Sequence, residues 1–89
     1  MDIVVEKLEE AELARMGVFD WPVWEKEVSQ FPWSYDCIEE CYILKGDVTV
    51  ETNDGTTVHF GEGDFVIFPK GLSCTWNIKQ PVKKHYFCK

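Results

Sequence analysis

The chain has 89 residues, so we expect one small domain that buries about 60–65% of the surface of its unfolded form. Its formal net charge is −7, from 16 acidic and 9 basic residues. Nucleic acids and anionic membranes both require clustered Lys and Arg, so this charge argues against both as partners. No apolar run approaches the roughly 20 residues that a membrane helix needs.

The first residues, Met1 to Glu6, have neither the basic segment nor the apolar segment of a signal peptide. We therefore predict a cytoplasmic location, although an organelle transit peptide removed before Met1 would leave the same sequence. Cytosol-like compartments keep thiols reduced, so all four cysteines are expected to be free. They are Cys37, Cys41, Cys74 and Cys88.

The N-terminal part, residues 1–17, is predicted to form a strand and a short helix. Ile3 to Lys7 alternates apolar and polar residues, which is typical of an edge strand. Glu9 to Met16 is rich in helix formers, with acidic residues at its start and a basic residue near its end, which interact favourably with the helix dipole. The helix is expected to end before Gly17. The remaining residues, 18–87, are assigned to the barrel of the same single domain (1–89).

Two aromatic runs with proline follow this helix. Trp21 to Trp24 and Phe31 to Tyr35 each contain a proline, which favours edge or bulged strands over central ones. We expect the second run to lead towards Glu39.

The stretch from Glu39 to Gly71 has the pattern of a β-meander. Its strand-like segments stop at Gly46, at Asp54-Gly55, at the turn 61–64 and at the turn 69–71. The Asp-Gly pair is favoured in tight hairpins because their central residues need positive φ. The predicted strands are Cys41 to Lys45, Val48 to Thr52, Thr56 to Phe60 and Phe65 to Phe68.

The C-terminal part supplies two more predicted strands. Ser73 to Ile78 alternates, Gln80-Pro81 is expected to turn the chain, and Val82 to Phe87 closes the sheet. The chain is therefore predicted to be all-β, a sandwich or small barrel of antiparallel strands.

The meander also carries two motifs of a known family. Glu39-x6-Gly46 resembles the second half of the first cupin motif, and Gly63-x5-Pro69-x-Gly71 resembles the opening of the second. The segments ECYILKG and GDFVIFPKG, with Trp76 and a closing Lys84-x-Tyr86, are similar to the small cupins related to ureidoglycine aminohydrolase domains. The resemblance implies a single-domain, RmlC-like jelly roll.

The resemblance also implies where a metal would lie, since cupins usually bind one divalent ion through two His, a Glu and a third His. Glu39 is retained, but the last histidine position is Cys74. We therefore predict no conventional metal site; if a divalent metal is bound, Glu39 and Cys74 are the candidate ligands. In either register the first two histidine positions lie among Pro32, Trp33, Ser34 and Tyr35.

Other potential ligands are poorly placed for a cofactor. His59 lies next to a hairpin turn and is expected to face solvent, and His85 should face outwards or towards a neighbouring subunit. Cys37 and Cys41 have three residues between them instead of the two of zinc knuckles. Buried Cys41 and Cys74 more often act as small apolar residues than as ligands.

The residues at inward-facing cupin positions predict an aromatic pocket for a small molecule. Glu39 and Lys84 are the candidates for acid–base chemistry or for orienting a ligand with an amide and a carboxylate. The alternative is that the aromatic side chains simply fill the barrel. The predicted ligand-binding set is Trp33, Tyr35, Glu39, Cys74, Trp76, Lys84 and Tyr86.

Three functions remain compatible with the sequence. The favoured one is a cupin that binds a small polar metabolite and needs no metal or other cofactor. The family resemblance alone suggests the second, a metal-dependent aminohydrolase, isomerase or oxygenase with nonstandard ligands. The third is a structural or interaction module, for example a homodimer, joined through an exposed aromatic surface. That surface would comprise Trp21, Trp24, Phe31 and Trp33.

Overall fold

In the computed structural model of the chain, residues 2–89 form an antiparallel all-β structure with one short helix, as predicted. The helix α1 spans Glu10–Met16 and is followed by a single 3-10 turn, Val18–Asp20. No helix among these residues is long and apolar enough to cross a membrane. The strands are β1 (Val4–Glu6), β2 (Val23–Lys26), β3 (Ser29–Ser34), β4 (Glu39–Thr52), β5 (Thr57–Gly61), β6 (Phe65–Phe68) and β7 (Ser73–Cys88).

Two long strands, β4 and β7, form the central ladder of the sheet. They pair from Glu39 opposite Cys88 to Thr52 opposite Cys74. On its other edge β4 pairs first with β6 and then with β5, while β7 pairs first with β3 and then with β2. The two long strands are thus shared by two half-sheets, and their inner faces enclose the main core.

The predicted strand end at Gly46 and the predicted turn at Gln80-Pro81 are both wrong, because β4 and β7 continue through these residues. The ladder instead has irregular register between Ile43 and Val48, as in β-bulges that bend a strand. Proline is tolerated at such a point because a bulge leaves a ladder N–H unused. Gly46 has φ +131, and a Cβ there would lie 2.8 Å from Cγ2 of Val82.

The N-terminal residues cover the outside of this sheet. Strand β1 pairs with β6 at the sheet edge, and α1 ends at Gly17, whose φ is +78. Leu13, Val18 and Phe65 form a second apolar cluster, separate from the main core. The main core contains Cys41, Ile43, Val48, Val50, Phe60, Val66, Phe68, Cys74, Trp76, Ile78 and Val82, among others.

The expectation of four free thiols is wrong for two of them. Cys37 and Cys88 form a disulfide, with their Cα atoms 5.8 Å apart. It joins the loop before β4 to the last residue of β7, which the register of the ladder brings together. Sequence spacing could not show this, because 51 positions separate the two cysteines. Cys41 and Cys74 are free and buried.

We expect Gly46→Ala to lower the free energy of unfolding by about 3 kcal/mol, because it adds a clash with Val82 to an unfavourable φ. Gly55→Ala is the matched control, since Gly55 also has positive φ (+86) but nothing within 4 Å of an added Cβ. It should cost about 1 kcal/mol. Urea unfolding measures both. Equal losses would show that Val82 does not constrain the bend.

Candidate functional site: an aromatic pocket with a buried ion pair

A cavity of about 200 Å³ opens at one end of the main core. Six of the seven residues predicted to bind a ligand line it. Cys74 does not: it is buried, and its Sγ donates a 3.6 Å hydrogen bond to the Trp33 carbonyl. The lining residues are Trp24, Phe31, Trp33, Tyr35, Glu39, Trp76, Lys84 and Tyr86.

Strand register explains which side chains meet in the cavity, including two that the sequence prediction missed. Trp24 on β2 is the direct partner of Lys84, and Phe31 on β3 is the direct partner of Trp76. Directly opposed residues share a face of a sheet, so both aromatic rings follow their β7 partners into the cavity. The signal that could have found them is the pairing of the two aromatic runs around Pro22 and Pro32 with β7.

The pocket contains a buried ion pair. Nζ of Lys84 donates to Oε2 of Glu39 over 2.8 Å, and the two side chains are 7% and 13% exposed. The same ammonium lies 4.9 Å from the ring centre of Trp24 and 4.7 Å from that of Trp76. Aromatic faces attract cations, and more strongly where water is excluded. Lys84 is therefore held by one carboxylate and two indole rings.

Tyr35 supplies a neutral polar group to the pocket. Its hydroxyl oxygen accepts a 3.0 Å hydrogen bond from the Trp76 indole N–H, and its ring stacks on Phe68. Burial raises the pKa of the Tyr35 hydroxyl, and the nearby Glu39 carboxylate raises it further. The hydroxyl therefore stays protonated at neutral pH. Its proton has no acceptor within residues 2–89 and is available to a ligand.

The Cys41 thiol is buried near the Glu39–Lys84 ion pair and is chemically inert. Burial raises its pKa to about 12, which the Lys84 ammonium opposes and the Glu39 carboxylate favours. Burial also raises the pKa of Cys74. Thiolates are the form that binds metals and attacks electrophiles, so neither cysteine is activated for such chemistry at neutral pH.

The two histidines do not join the pocket. His59 is exposed, as predicted, and pairs with Asp47 on the neighbouring strand. His85 faces away from the pocket, as expected, but this outward face is not open to solvent. It is half-buried, and its Nδ1–H donates to the Trp21 carbonyl (2.9 Å), because the N-terminal segment covers this face of β7.

Within residues 2–89, one group of three side chains is close enough together to hold a metal ion, and none of its members lines the cavity. It consists of Asp36, Cys37 and Cys88. Glu39 and Cys74, the predicted ligands of a nonstandard site, belong to no such set.

The predicted exposed aromatic surface is not continuous. Trp24 and Phe31 pack into the pocket wall, and Trp21 lies elsewhere, stacked on Phe87. Trp33 alone of the four is largely exposed, at 49%. Pairing with β7 draws the Trp24 and Phe31 rings inwards. A homodimer stays a prediction, without this surface as its basis.

Comparison with known proteins identifies the family. The sequence model of one protein family, the EutQ-like cupin domain, matches residues 13–86. The chain belongs to the EutQ-like cupin family. This confirms the predicted cupin fold, while the narrower likeness to ureidoglycine aminohydrolase domains stays a prediction. No curated protein matches this cupin.

Solved structures agree with that assignment. A DUF861 family protein from Thermotoga maritima is 48% identical, with a TM-score of 0.97 over 99% of this cupin and 100% of that chain. A putative ethanolamine utilization protein Q from Salmonella typhimurium is 20% identical, with a TM-score of 0.65 over 97% of this cupin and 68% of that chain. The EutQ protein of Clostridium difficile is 17% identical, with a TM-score of 0.65 over 94% and 64%. The last two show the shared fold alone.

We expect Lys84→Met to lower the free energy of unfolding of this cupin by about 3–5 kcal/mol, because it leaves the Glu39 carboxylate buried and unpaired. Adding Glu39→Gln should restore part of that loss, which a double-mutant cycle in urea would measure. Lys89→Met is the matched control: Lys89 is 53% exposed in its pair with Glu40, so its loss should be below about 1 kcal/mol. A similarly small loss for Lys84→Met would show a solvated pair.

The buried Cys41 thiol should make the fold sensitive to alkali. Its pKa is raised from 9.0 in the unfolded chain to about 12. Its contribution to the free energy of unfolding is therefore fully present well below pH 9 and is lost at higher pH, as the thiol of the unfolded chain ionises. From about pH 9 to about pH 10 this costs about 1 kcal/mol. Urea unfolding at the two pH values should show that Cys41→Ala loses less free energy of unfolding than the wild-type protein does, by that amount. Equal losses in the two proteins would contradict the raised pKa.

Proposed function

We propose that this cupin binds a small planar metabolite that carries a hydrogen-bond acceptor and an N–H donor, and that it needs no resident metal to do so. The observation that carries the proposal is the Glu39–Lys84 pair in the wall of an open aromatic cavity. Buried ion pairs often add little to stability compared with apolar residues of similar size. An ion pair in a cavity wall is therefore better explained by a role in ligand binding than by a contribution to the stability of the fold.

The polar groups of the pocket define the chemistry of its ligand. The Tyr35 hydroxyl and the Lys84 ammonium donate, so the ligand needs a carbonyl or carboxylate oxygen to accept from them. Glu39 has a second oxygen besides the one that Lys84 occupies, and it can accept from a ligand N–H. A small amide, or a molecule with an amide and a carboxylate, meets both requirements.

The walls and the volume narrow the class further. Trp24, Phe31 and Trp76 offer ring faces and edges, which favour a flat ligand group. The cavity volume of about 200 Å³ lies below the usual range of small-molecule pockets, about 300–1,000 Å³, so the ligand is small. We propose binding alone as the function, with Glu39 and Lys84 as candidates for acid–base chemistry should the ligand react.

Three matched compounds test the proposal on the untagged, oxidised protein: maleamate, which has one amide and one carboxylate, and for comparison maleamide and maleate. Maleamate should raise the melting temperature and change the tryptophan fluorescence most. Its carboxylate accepts more strongly from the Lys84 ammonium than the amide oxygen of maleamide does, and maleate has no N–H to donate to Glu39. Glu39→Gln and Lys84→Met should each weaken its binding by about tenfold or more. Glu40→Gln, a neighbour on the opposite face of β4, should bind as the wild-type protein does.

Two results would overturn the proposal. If none of a wider set of small amides and carboxylates changes the fluorescence or the melting temperature, the aromatic residues act as a filled core. If elemental analysis of the oxidised protein finds near-stoichiometric metal that is lost in Glu39→Ala and Cys74→Ala, the metal-dependent alternative replaces it. We expect metal well below one atom per chain and no stabilisation by manganese, iron, nickel or zinc ions.

A further inference from the structure

Three potential metal ligands meet where the end of β7 lies against the loop between β3 and β4. The loop supplies the Asp36 carboxylate and the Cys37 sulfur, and β7 supplies the Cys88 sulfur. Their ligand atoms all lie within 4.8 Å of one another. None of the three lines the pocket, so the cluster is separate from the proposed ligand site.

The backbone holds these ligands together without the sulfur–sulfur bond. Cys88 is the ladder partner of Glu39, and the N–H of Lys89 donates to the Ile38 carbonyl over 2.8 Å. The Lys89 ammonium also pairs with Glu40 at 3.1 Å. The end of β7 is therefore tied to the loop and to the start of β4 on both sides of the disulfide. Reduction would leave two thiols facing each other beside a carboxylate.

The spacing and the type of these ligands suit a tetrahedral zinc ion. Zinc binds thiolate at about 2.3 Å and carboxylate at about 2.0–2.2 Å, which at tetrahedral angles places these ligand atoms about 3.5–3.8 Å apart. Small side-chain rotations reach that spacing from the present positions. Asp36 and Cys88 are exposed, so water can fill the fourth position.

We propose that Asp36, Cys37 and Cys88 form a redox-controlled site for a thiophilic divalent cation such as Zn²⁺. In the oxidised protein both sulfurs are used by the disulfide. A dithiol reductant opens it by exchange: the Cys37–Cys88 bond breaks, two cysteine thiols form, and the reductant leaves as its own disulfide. Zn²⁺ then displaces the two thiol protons to solvent and bridges the same two chain segments.

The other two cysteines cannot substitute for this pair. Cys41 and Cys74 are buried in the main core, and burial raises the pKa of both thiols. Cys37 is half-buried and Cys88 is exposed, so an external dithiol has access to the bond between them. The chain thus separates two inert thiols from two that can exchange.

The test uses untagged protein reduced with dithiothreitol, which is then removed under argon. With Zn²⁺ alone, competition against a chromophoric chelator should give one ion per reduced chain and none per oxidised chain. Co²⁺ in place of Zn²⁺ should give a thiolate-to-metal charge-transfer band in the near ultraviolet. Zn²⁺ should also raise the melting temperature of the reduced protein. None of these readouts depends on a pocket ligand.

Variants assign the site. Cys37→Ser and Cys88→Ser should abolish the charge-transfer band or reduce it strongly, and Asp36→Asn should weaken Zn²⁺ binding by about tenfold or more. Cys74→Ala is the matched control and should bind as the reduced wild-type protein does. Near-ultraviolet circular dichroism of the tryptophans reports whether each variant is folded. If reduction itself unfolds the chain, Zn²⁺ should restore the native spectrum.

Three outcomes would overturn the proposal: no Zn²⁺ bound by the reduced protein, binding that persists unchanged in Cys88→Ser, or binding that is lost in Cys74→Ala. The last two would place the metal elsewhere in the chain. Failure to restore a reduced and unfolded protein with Zn²⁺ would count equally against it.

Discussion

The antiparallel ladder between β4 and β7 is the constraint on which the rest of the structure depends. It runs from Glu39 opposite Cys88 to Thr52 opposite Cys74, and almost every other strand pairs with one of its two members. Because the ladder bends near Gly46, its two halves can face each other around one core. The disulfide lies at the last residue of β7, whereas the pocket takes side chains from both halves of that strand.

The same ladder explains why a pocket with so few polar groups can be well ordered. Lys84 comes from β7 and Glu39 from β4, so their contact joins the two central strands. Trp76, on the first half of β7, contacts both the Lys84 ammonium and the Tyr35 hydroxyl. These three polar groups are therefore each positioned by a ring or a charge from another part of the sheet. Such mutual positioning is what ligand recognition requires, since it limits reordering on binding.

Much of this structure could be predicted from the sequence where the signal is local. Alternation and turn residues predicted the meander, and Gly17 predicted the end of the helix. The family motifs identified the fold and most of the pocket lining. The continuation of β4 through Gly46 could not be predicted, because a glycine that ends a strand and one that bends it look alike. Trp24 and Phe31 were missed because their positions depend on pairing with β7.

The Cys37–Cys88 bond shows a different limit of sequence reasoning. The prediction of free thiols came from an inferred compartment, whereas the bond follows from the proximity of two distant chain segments. His85 is a similar case. Alternation correctly placed it on the other face of β7 from Lys84, but it could not show that the N-terminal segment covers that face. Contacts between segments distant in sequence decided each outcome.

The position of Lys84 between two indole rings has a consequence for selectivity. Aromatic boxes of this kind are well suited to organic ammonium ions. Here the chain fills the box with its own ammonium, tethered in place and neutralised by Glu39. An amine or a quaternary ammonium compound would have to displace a cation that never leaves the molecule. For the proposed function, this tethered ammonium would disfavour free cations and favour neutral and anionic ligands.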